Sequence, residues 1–359
     1  MSGRVAEVRC AVVSTRLHTP FVTALRRTTT ADSVLVEILD EDGLVGVGEA
    51  PQVWAVTGDS LAGARACIEG PLAAVVRGRD PVDLHDVTRA VRAAVVGNGA
   101  AKAAVDVALH DLLARRLGVP LTVLLGGSAL RVRTDVTVSA GDEDSLVAAA
   151  LDRRDEGFST LKLKVGTDAE ADRRHVLAVR QAVGPDVVIR LDANQGWSAR
   201  EAVRVIGSLE DAGADLELVE QPVRAHDLPG LAWVTDRVGT PVMADESVFS
   251  VRDLSAVIER RAADMVNVKL AKAGGLAPAR TLLELARAHD MGTVVGSMME
   301  TSVGVGAAAS LAAALGATAV ADLDAAWWAV GPPVTGGLRY DGDVLVLPDE
   351  PGLGLEVPA

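Results

Sequence analysis

The 359-residue chain has only two cysteines, Cys10 and Cys67, and neither belongs to a Cys-x-x-Cys pair. A disulfide framework or a thiolate zinc site is therefore not expected to organise it. Positive charge is in deficit, with 35 Lys and Arg against 49 Asp and Glu and a net charge of −14. That balance argues against nucleic acid or an anionic membrane as the partner, its plainer meaning being a solvated acidic surface. No apolar run approaches the length of a membrane span, and the charged start, Met1 to Arg9, has no apolar segment behind it. Neither a signal peptide nor a membrane anchor is expected, and a reducing cytoplasm is the default compartment. What is present is ordinary for a globular protein: 49% hydrophobic and 23% charged residues, in a chain long enough for a large core and two domains.

Residues 4–50 alternate as strands do. The run Ser33–Leu39 is followed by the turn Asp40-Glu41-Asp42-Gly43 and a returning strand, Leu44–Glu49. From about 60 to 118 the spacing becomes helical and rich in Ala, Leu and Arg, until Gly118-Val119-Pro120 stops it. The first 125 residues thus read as a small α+β capping domain, completed by residues 330–359. Over 126–329 short apolar runs recur, each closed by a polar residue: Thr137, Lys164, Asp192, Glu220, Asp245, Lys269, Ser297 and Asp322. These positions lie 24 to 28 residues apart, the length of one strand, one helix and two loops. Eight such strands predict an α/β fold, a TIM-like closed barrel, whose active site sits at the C-terminal strand ends. An open doubly wound sheet is the rival, but it gives no reason for polar residues to close every strand.

The strand ends carry the chemistry. Asp192, Glu220 and Asp245 close three consecutive strands, which lie about 5 Å apart in a barrel, so their carboxylates can converge. Three buried carboxylates repel unless a cation neutralises them. Oxygen-only ligands select a hard ion, Mg²⁺ or alternatively Mn²⁺, and no Cys or His in the strand pattern suggests zinc. Lys162 and Lys164 share one side of a strand, so each is expected to depress the other's pKa and supply a neutral base. Lys269 lies four strands further round and faces Lys164 across the mouth. Two bases on opposite faces of one carbon can remove a proton from one side and return it to the other. For Lys162 and Lys272 a salt bridge to a neighbouring carboxylate is the better reading, with Lys162 in a supporting role.

The segments Lys162-Leu163-Lys164-Val165-Gly166, Leu191–Trp197, Val219-Glu220-Gln221-Pro222, Ala244-Asp245-Glu246-Ser247 and Asn267–Gly275 together resemble the muconate-lactonising subgroup of the enolase superfamily, over nearly the whole chain. The resemblance implies a (β/α)7β barrel with an N-terminal capping domain. It implies that Asp192, Glu220 and Asp245 bind Mg²⁺ and that Lys164 and Lys269 are the acid/base pair, with Lys162, Asn194 and Glu246 in support. An α-proton beside a carboxylate becomes removable when a cation stabilises the enolate that forms.

Within the subgroup, Asp322-Leu323-Asp324 resembles the Asp-x-Asp motif of dipeptide epimerases, whose two carboxylates bind a free α-ammonium. The segment Pro20–Arg26 resembles the capping loop of Ala-Glu epimerases, whose arginine meets an acidic substrate side chain; Arg26 or the adjacent Arg27 would serve. The expected substrate-facing set is Arg26, Thr137, Ser297, Met298, Met299, Asp322 and Asp324. The expected reaction is epimerisation of a dipeptide at its C-terminal α-carbon, in a homo-oligomer. An N-acyl amino acid racemase, an o-succinylbenzoate synthase or a muconate-type cycloisomerase is the alternative within the subgroup. A sugar-acid dehydratase usually has a catalytic His at the seventh strand end, where this chain has Gly296-Ser297-Met298. The bulky Trp327-Trp328 is expected either to pack against the C-terminal segment or to reshape the pocket.

Overall fold

A computed structural model describes residues 3–331 and 333–356. Strands β1 (Val5–Val22), β2 (Arg27–Asp40) and β3 (Val45–Pro51) form an antiparallel meander. Asp40 fixes the predicted turn, its Oδ1 accepting the N–H groups of Asp42 and Leu44. Helices α1 (Leu61–Cys67), α2 (Leu84–Ala94) and α3 (Gly99–Leu117) follow. β3 lies directly on α3. A Cβ at Gly46 would come within 2.1 Å of the Ala108 carbonyl oxygen, and one at Gly48 within 1.9 Å of that of Ala104, so only glycine permits this approach. The capping domain has its own core, with Val34, Val36, Ile38, Ile68, Leu109 and Leu112 among its buried members.

Seven parallel strands then neighbour one another in chain order: β4 (Val136–Val138), β5 (Thr160–Lys164), β6 (Val188–Asp192), β7 (Leu216–Glu220), β8 (Val242–Ala244), β9 (Met265–Lys269) and β10 (Gly292–Gly296). The eighth position is only a pair of bridge residues. Ala321 pairs with Thr134 and Asp322 with Gly296, both in parallel, which joins the last strand to the first. The sheet is thus a closed TIM-type barrel, not an open one. Lys164, Asp192, Glu220 and Lys269 are the final residues of their strands, and Asp245 and Ser297 lie one residue beyond theirs. Thr137 departs from the expected pattern, standing in the middle of the three-residue β4.

Period-2 alternation sorts the barrel residues. Leu161, Leu163, Ile189, Leu191, Val266 and Val268 pack outward into the main core beneath the helices. Lys162, Lys164, Arg190, Asp192, Asn267 and Lys269 are in the other phase and turn inward. Deeper in the barrel, Leu218, Met243 and Val294 fill one part apolarly. Elsewhere Arg190 pairs with Asp135 at 2.9 Å.

The barrel helices are α4 (Glu143–Asp155), α5 (Ala169–Val183), α6 (Ala199–Asp211), α7 (Leu228–Thr235), α8 (Val251–Arg260), α9 (Leu276–Ala288) and α10 (Ser302–Leu315). Six begin at a local Asp, Ser or Thr cap, as with Ser198 and Glu201, which form a full capping box on α6. α9 starts after Gly275, which has no side chain to offer. Its cap comes from the capping domain instead: Asp106 on α3 accepts the Leu276 N–H at 2.7 Å. Glu49 on β3 does the same for α10, accepting the Thr301 hydroxyl and the Thr301 and Gly304 N–H groups. Two buried carboxylates thus seat the capping domain on the helices that follow the sixth and seventh strands. The C-terminal segment binds both parts, Ala329–Val330 pairing with β1 and Val344–Val346 with Arg131–Arg133. Asp106→Ala should lower unfolding free energy by about 1–3 kcal/mol, the cost of a lost cap with buried N–H groups left unmatched. The denaturant midpoint would show this, and an unchanged midpoint would mean the cap contributes nothing.

Candidate active site

Four lysines and four carboxylates interleave where the barrel strands end, and all eight side chains are buried. Lys164 donates to Asp192 Oδ2 at 2.5 Å and Lys269 to Asp245 Oδ2 at 2.8 Å. Lys162 donates to Asp322 Oδ1 and lies 3.7 Å from Glu220 Oε2. Lys272, in the short helix Leu270–Ala273, is buried, donates to the carbonyls of Asp245 and Asn267, and makes the expected pairing with a carboxylate, Asp245 Oδ1. Asn194 donates to Asp192 and to Glu246, each at 3.3 Å, which ties the second carboxylate of the Asp245-Glu246 segment into the cluster.

The expected mutual depression of the two β5 lysines does not describe Lys162. Burial opposes its charge, but Asp322, Glu220, Asp135 and Asp192 outweigh burial and hold the ammonium well above its ordinary pKa. Lys269 is raised in the same way by Asp245, Glu220 and Asp322 against burial. Periodicity places like charges on one face, but it does not show the carboxylates that tertiary structure inserts between them. The carboxylates feel the crowding. Burial, then Asp192, pushes Glu220 up to about 8, and burial, then Asp245 and Asp192, pushes Glu246 up to about 7. Asp245 stays well below the carboxylate range because Lys269 and Lys272 overcome its burial.

Among the described residues no three acidic, His or Cys side chains close on one point as they stand, because the lysines lie between them. The donor set nonetheless fits a hard cation. It is all oxygen, and Glu220 Oε2, Glu246 Oε2 and Asn194 Oδ1 are buried without hydrogen-bond partners. Asp245 Oδ1 touches the Lys272 ammonium but is outside hydrogen-bonding geometry. Buried oxygens left unmatched are costly, and oxygen-rich clusters of this kind suit Mg²⁺.

Above the cluster lies a small cavity of about 60 Å³. Its walls include Arg26, Thr137, Lys162, Lys164, Asn194, Asp245, Glu246, Lys269, Ser297, Met298, Met299, Asp322 and Asp324. Asp192 and Glu220 lie beneath it, out of direct contact. Arg26 faces the cavity, whereas Arg27 is exposed and does not line it. The Thr23 hydroxyl accepts the N–H groups of Leu25 and Arg26, a local turn that presents Arg26 inward.

Asp322 and Asp324 both reach the cavity, but not as alternate residues of a strand. Asp324 is helical in backbone (φ −84, ψ −6), and its Oδ2 accepts the Thr137 N–H at 2.7 Å and the Trp328 indole N–H at 3.0 Å. Trp327 and Trp328 do not line the cavity. Trp328 stacks on His18 and meets Phe21 edge-on, while Arg153 covers Trp327 at 4.5 Å, so the pair packs the capping strand β1 against the barrel. Sequence reasoning gave no role to Phe21, Val56 and Ala325, which also line the cavity, or to Glu300, a buried acid that accepts the Met298 N–H. Phe21 stood in the segment already singled out for its arginine; Val56 comes from a capping loop with no pattern that would mark it.

Residues 5–126 match the mandelate racemase / muconate lactonizing enzyme N-terminal domain family, and residues 145–359 match the enolase C-terminal domain-like family. The chain therefore belongs to the mandelate racemase / muconate lactonizing enzyme family of the enolase superfamily. It is 41% identical over 344 residues to the L-Ala-D/L-Glu epimerase of Clostridium acetobutylicum, covering 96% of each chain. It is 38% identical over 354 residues to the hydrophobic dipeptide epimerase of Enterococcus faecalis, covering 98% of this chain and 99% of that one. Among solved structures, the substrate-liganded L-Ala-D/L-Glu epimerase from Bacillus subtilis superposes with a TM-score of 0.96 at 41% identity over 98% of each chain. The dipeptide epimerase from Enterococcus faecalis V583, complexed with Mg and L-Leu-L-Tyr, superposes at 0.95 with 38% identity over 99% and 100% of the two chains. These relatives are epimerases, and the chain is an isomerase of the racemase and epimerase class.

Lys162 provides a test of the charge cluster. Lys162→Met leaves Asp322 and Glu220 buried without their shared cation and should cost about 3–5 kcal/mol of stability. Equilibrium unfolding at neutral pH would measure this; a loss under about 1 kcal/mol would mean that the remaining lysines compensate.

Proposed function

We propose that the protein epimerises dipeptides at the α-carbon of the C-terminal residue, by proton transfer between Lys164 and Lys269. One observation carries the reading. The two lysines come from the second and sixth positions of an eight-membered ring, opposite one another, and line the same cavity. A carbon held between them can lose its proton to one lysine as base and receive one from the other on the opposite face, which inverts it. A divalent cation held by Asp192, Glu220 and Asp245, magnesium as in the Enterococcus faecalis structure, would draw those carboxylates off Lys164 and Lys269 and lend positive charge to the substrate carboxylate.

The chain's other residues orient the substrate. Asp324 has one oxygen anchored by Thr137 and Trp328, and with Asp322 it presents negative charge to a free α-ammonium. Arg26 has no carboxylate within ion-pair distance among the described residues, and burial lowers its pKa, so it is a partly desolvated guanidinium without a counter-charge. A carboxylate on the C-terminal side chain would match its two-pronged geometry, which favours a substrate of the Ala-Glu type.

In D2O with Mg²⁺, the wild type should exchange the α-proton of both epimers of Ala-Glu. Lys164→Ala and Lys269→Ala should each abolish epimerisation while keeping exchange of a single epimer through the remaining lysine. Both variants exchanging both epimers would rule out the two-base assignment. Chelation should abolish turnover and Mg²⁺ should restore it. A wild type preferring N-acyl amino acids would move the reading to the racemases. Arg26→Ala should lower kcat/KM for Ala-Glu by about 10-fold to 100-fold, in line with a lost charged hydrogen bond, and far less for Ala-Leu. Equal losses on both substrates would limit Arg26 to closing the loop.

A further inference from the structure

Asn267 sits on β9 two residues before Lys269, fully buried, and touches neither the cavity nor solvent. Its Nδ2 donates to Glu220 Oε1 at 2.8 Å and to Asp322 Oδ2 at 3.0 Å. An ionised carboxylate only accepts, so two carboxylates on one side of the amide fix its orientation, nitrogen toward them. Lys162 joins the same two acids from the other side, through Asp322 Oδ1 and Glu220 Oε2. Glu220, Asn267, Asp322 and Lys162 therefore close a ring in the floor of the site. One link is a cation hydrogen-bonded to Asp322 and 3.7 Å from Glu220; the other is a neutral planar amide with two N–H bonds at a fixed angle.

The seventh strand makes room for this link. A Cβ at Gly296 would stand 2.5 Å from Asn267 Oδ1, 3.0 Å from its Nδ2 and 3.0 Å from Asp322 Oδ2. Gly296 thus clears the space occupied by the Asn267–Asp322 contact. Because Asn267 takes Glu220 Oε1, the oxygen left without a hydrogen bond is Oε2.

We propose that Asn267 is a positioning residue that sets the distance between the cation-binding Glu220 and the ammonium-binding Asp322, and so registers the two ends of the substrate against each other. The inference rests on the dipeptide reading above. It assigns Asn267 no contact with substrate; the residue acts through the two carboxylates, as partners behind a metal ligand do.

The test compares N267L, which removes both donors, with G296A, whose added methyl crowds the Asn267 amide and its contact with Asp322. Magnesium affinity is measured by calorimetry without substrate, and selectivity as the ratio of kcat/KM for Ala-Glu to that for N-acetyl-Ala-Glu. N267L should weaken Mg²⁺ binding by about 10-fold or more. It should also reduce the selectivity by about 10-fold. G296A keeps both donors but shifts the amide that carries them, so it should reduce the selectivity and weaken Mg²⁺ binding less than N267L does. An N267L protein that melts earlier but keeps wild-type Mg²⁺ affinity and selectivity has lost only packing, and the proposal fails. If N267L does not fold, G296A decides, and unchanged selectivity in that variant overturns the proposal. A wild type with no preference for the free amine would refute the dipeptide reading but not the link itself, which the Mg²⁺ titration then decides.

Discussion

The structure depends on placing eight buried ionisable side chains, four lysines and four acids, where none of them can be solvated. Lys162, Lys164, Lys269 and Lys272 alternate with Asp192, Glu220, Asp245 and Asp322, and each is under 8% exposed. Any one of these ions alone would cost several kcal/mol to bury. Together they are tolerable only if the backbone holds every charge beside one of opposite sign, which requires a rigid frame. The closed barrel is such a frame, because each strand end is fixed by ladder bonds to both neighbours. Even the rudimentary eighth position is held on both sides, Asp135 N–H donating to Ala321 and Ser297 N–H to Asp322. The cluster makes chemical sense for a site that exchanges protons. Charges that neutralise one another at rest can be separated by a ligand that binds one sign more strongly.

The barrel was legible because its signal repeats. A polar residue every 24 to 28 positions, with apolar runs before it, is a pattern that local sequence alone produces. The same pattern marked Lys164, Asp192, Glu220, Asp245 and Lys269. It failed where geometry depends on partners distant in sequence. Lys162 and Lys164 read as two like charges on one face, yet Asp322, 160 residues away, reverses the effect on Lys162. The Asp322-Leu323-Asp324 motif marked both acids but not their geometry: the chain has already turned helical at Asp324, whose carboxylate is held by Thr137 and Trp328. Trp327 and Trp328 were expected to pack the barrel against the C-terminal segment or to reshape the pocket, yet Trp328 instead stacks on His18 and meets Phe21 edge-on, both on the capping strand β1. Asn267 lay in plain view within a recognised segment, but a role as a link between two carboxylates exists only in three dimensions.

The capping domain shows how chemistry and selectivity can be held apart. On one side, Asp106 and Glu49 cap α9 and α10 with buried, multiply bonded carboxylates, so the domain is fixed where Lys269 and Ser297 emerge. On the other, the turn carrying Arg26 reaches the barrel through few bonds. The Ala140 N–H donates to the Val22 carbonyl at 3.0 Å, and the Val22 N–H to the Ser139 hydroxyl at 3.3 Å. Local stability follows the number and burial of such contacts, so opening at the barrel mouth is least costly at the Arg26 turn. The turn that carries Arg26 is thus tied to the barrel less tightly than the strand ends that carry the lysines, although Phe21 just before it lies 5.7 Å from the Lys164 ammonium. Relatives with closely similar barrels and different dipeptide preferences, the Ala-Glu and the hydrophobic epimerases, are what that separation allows.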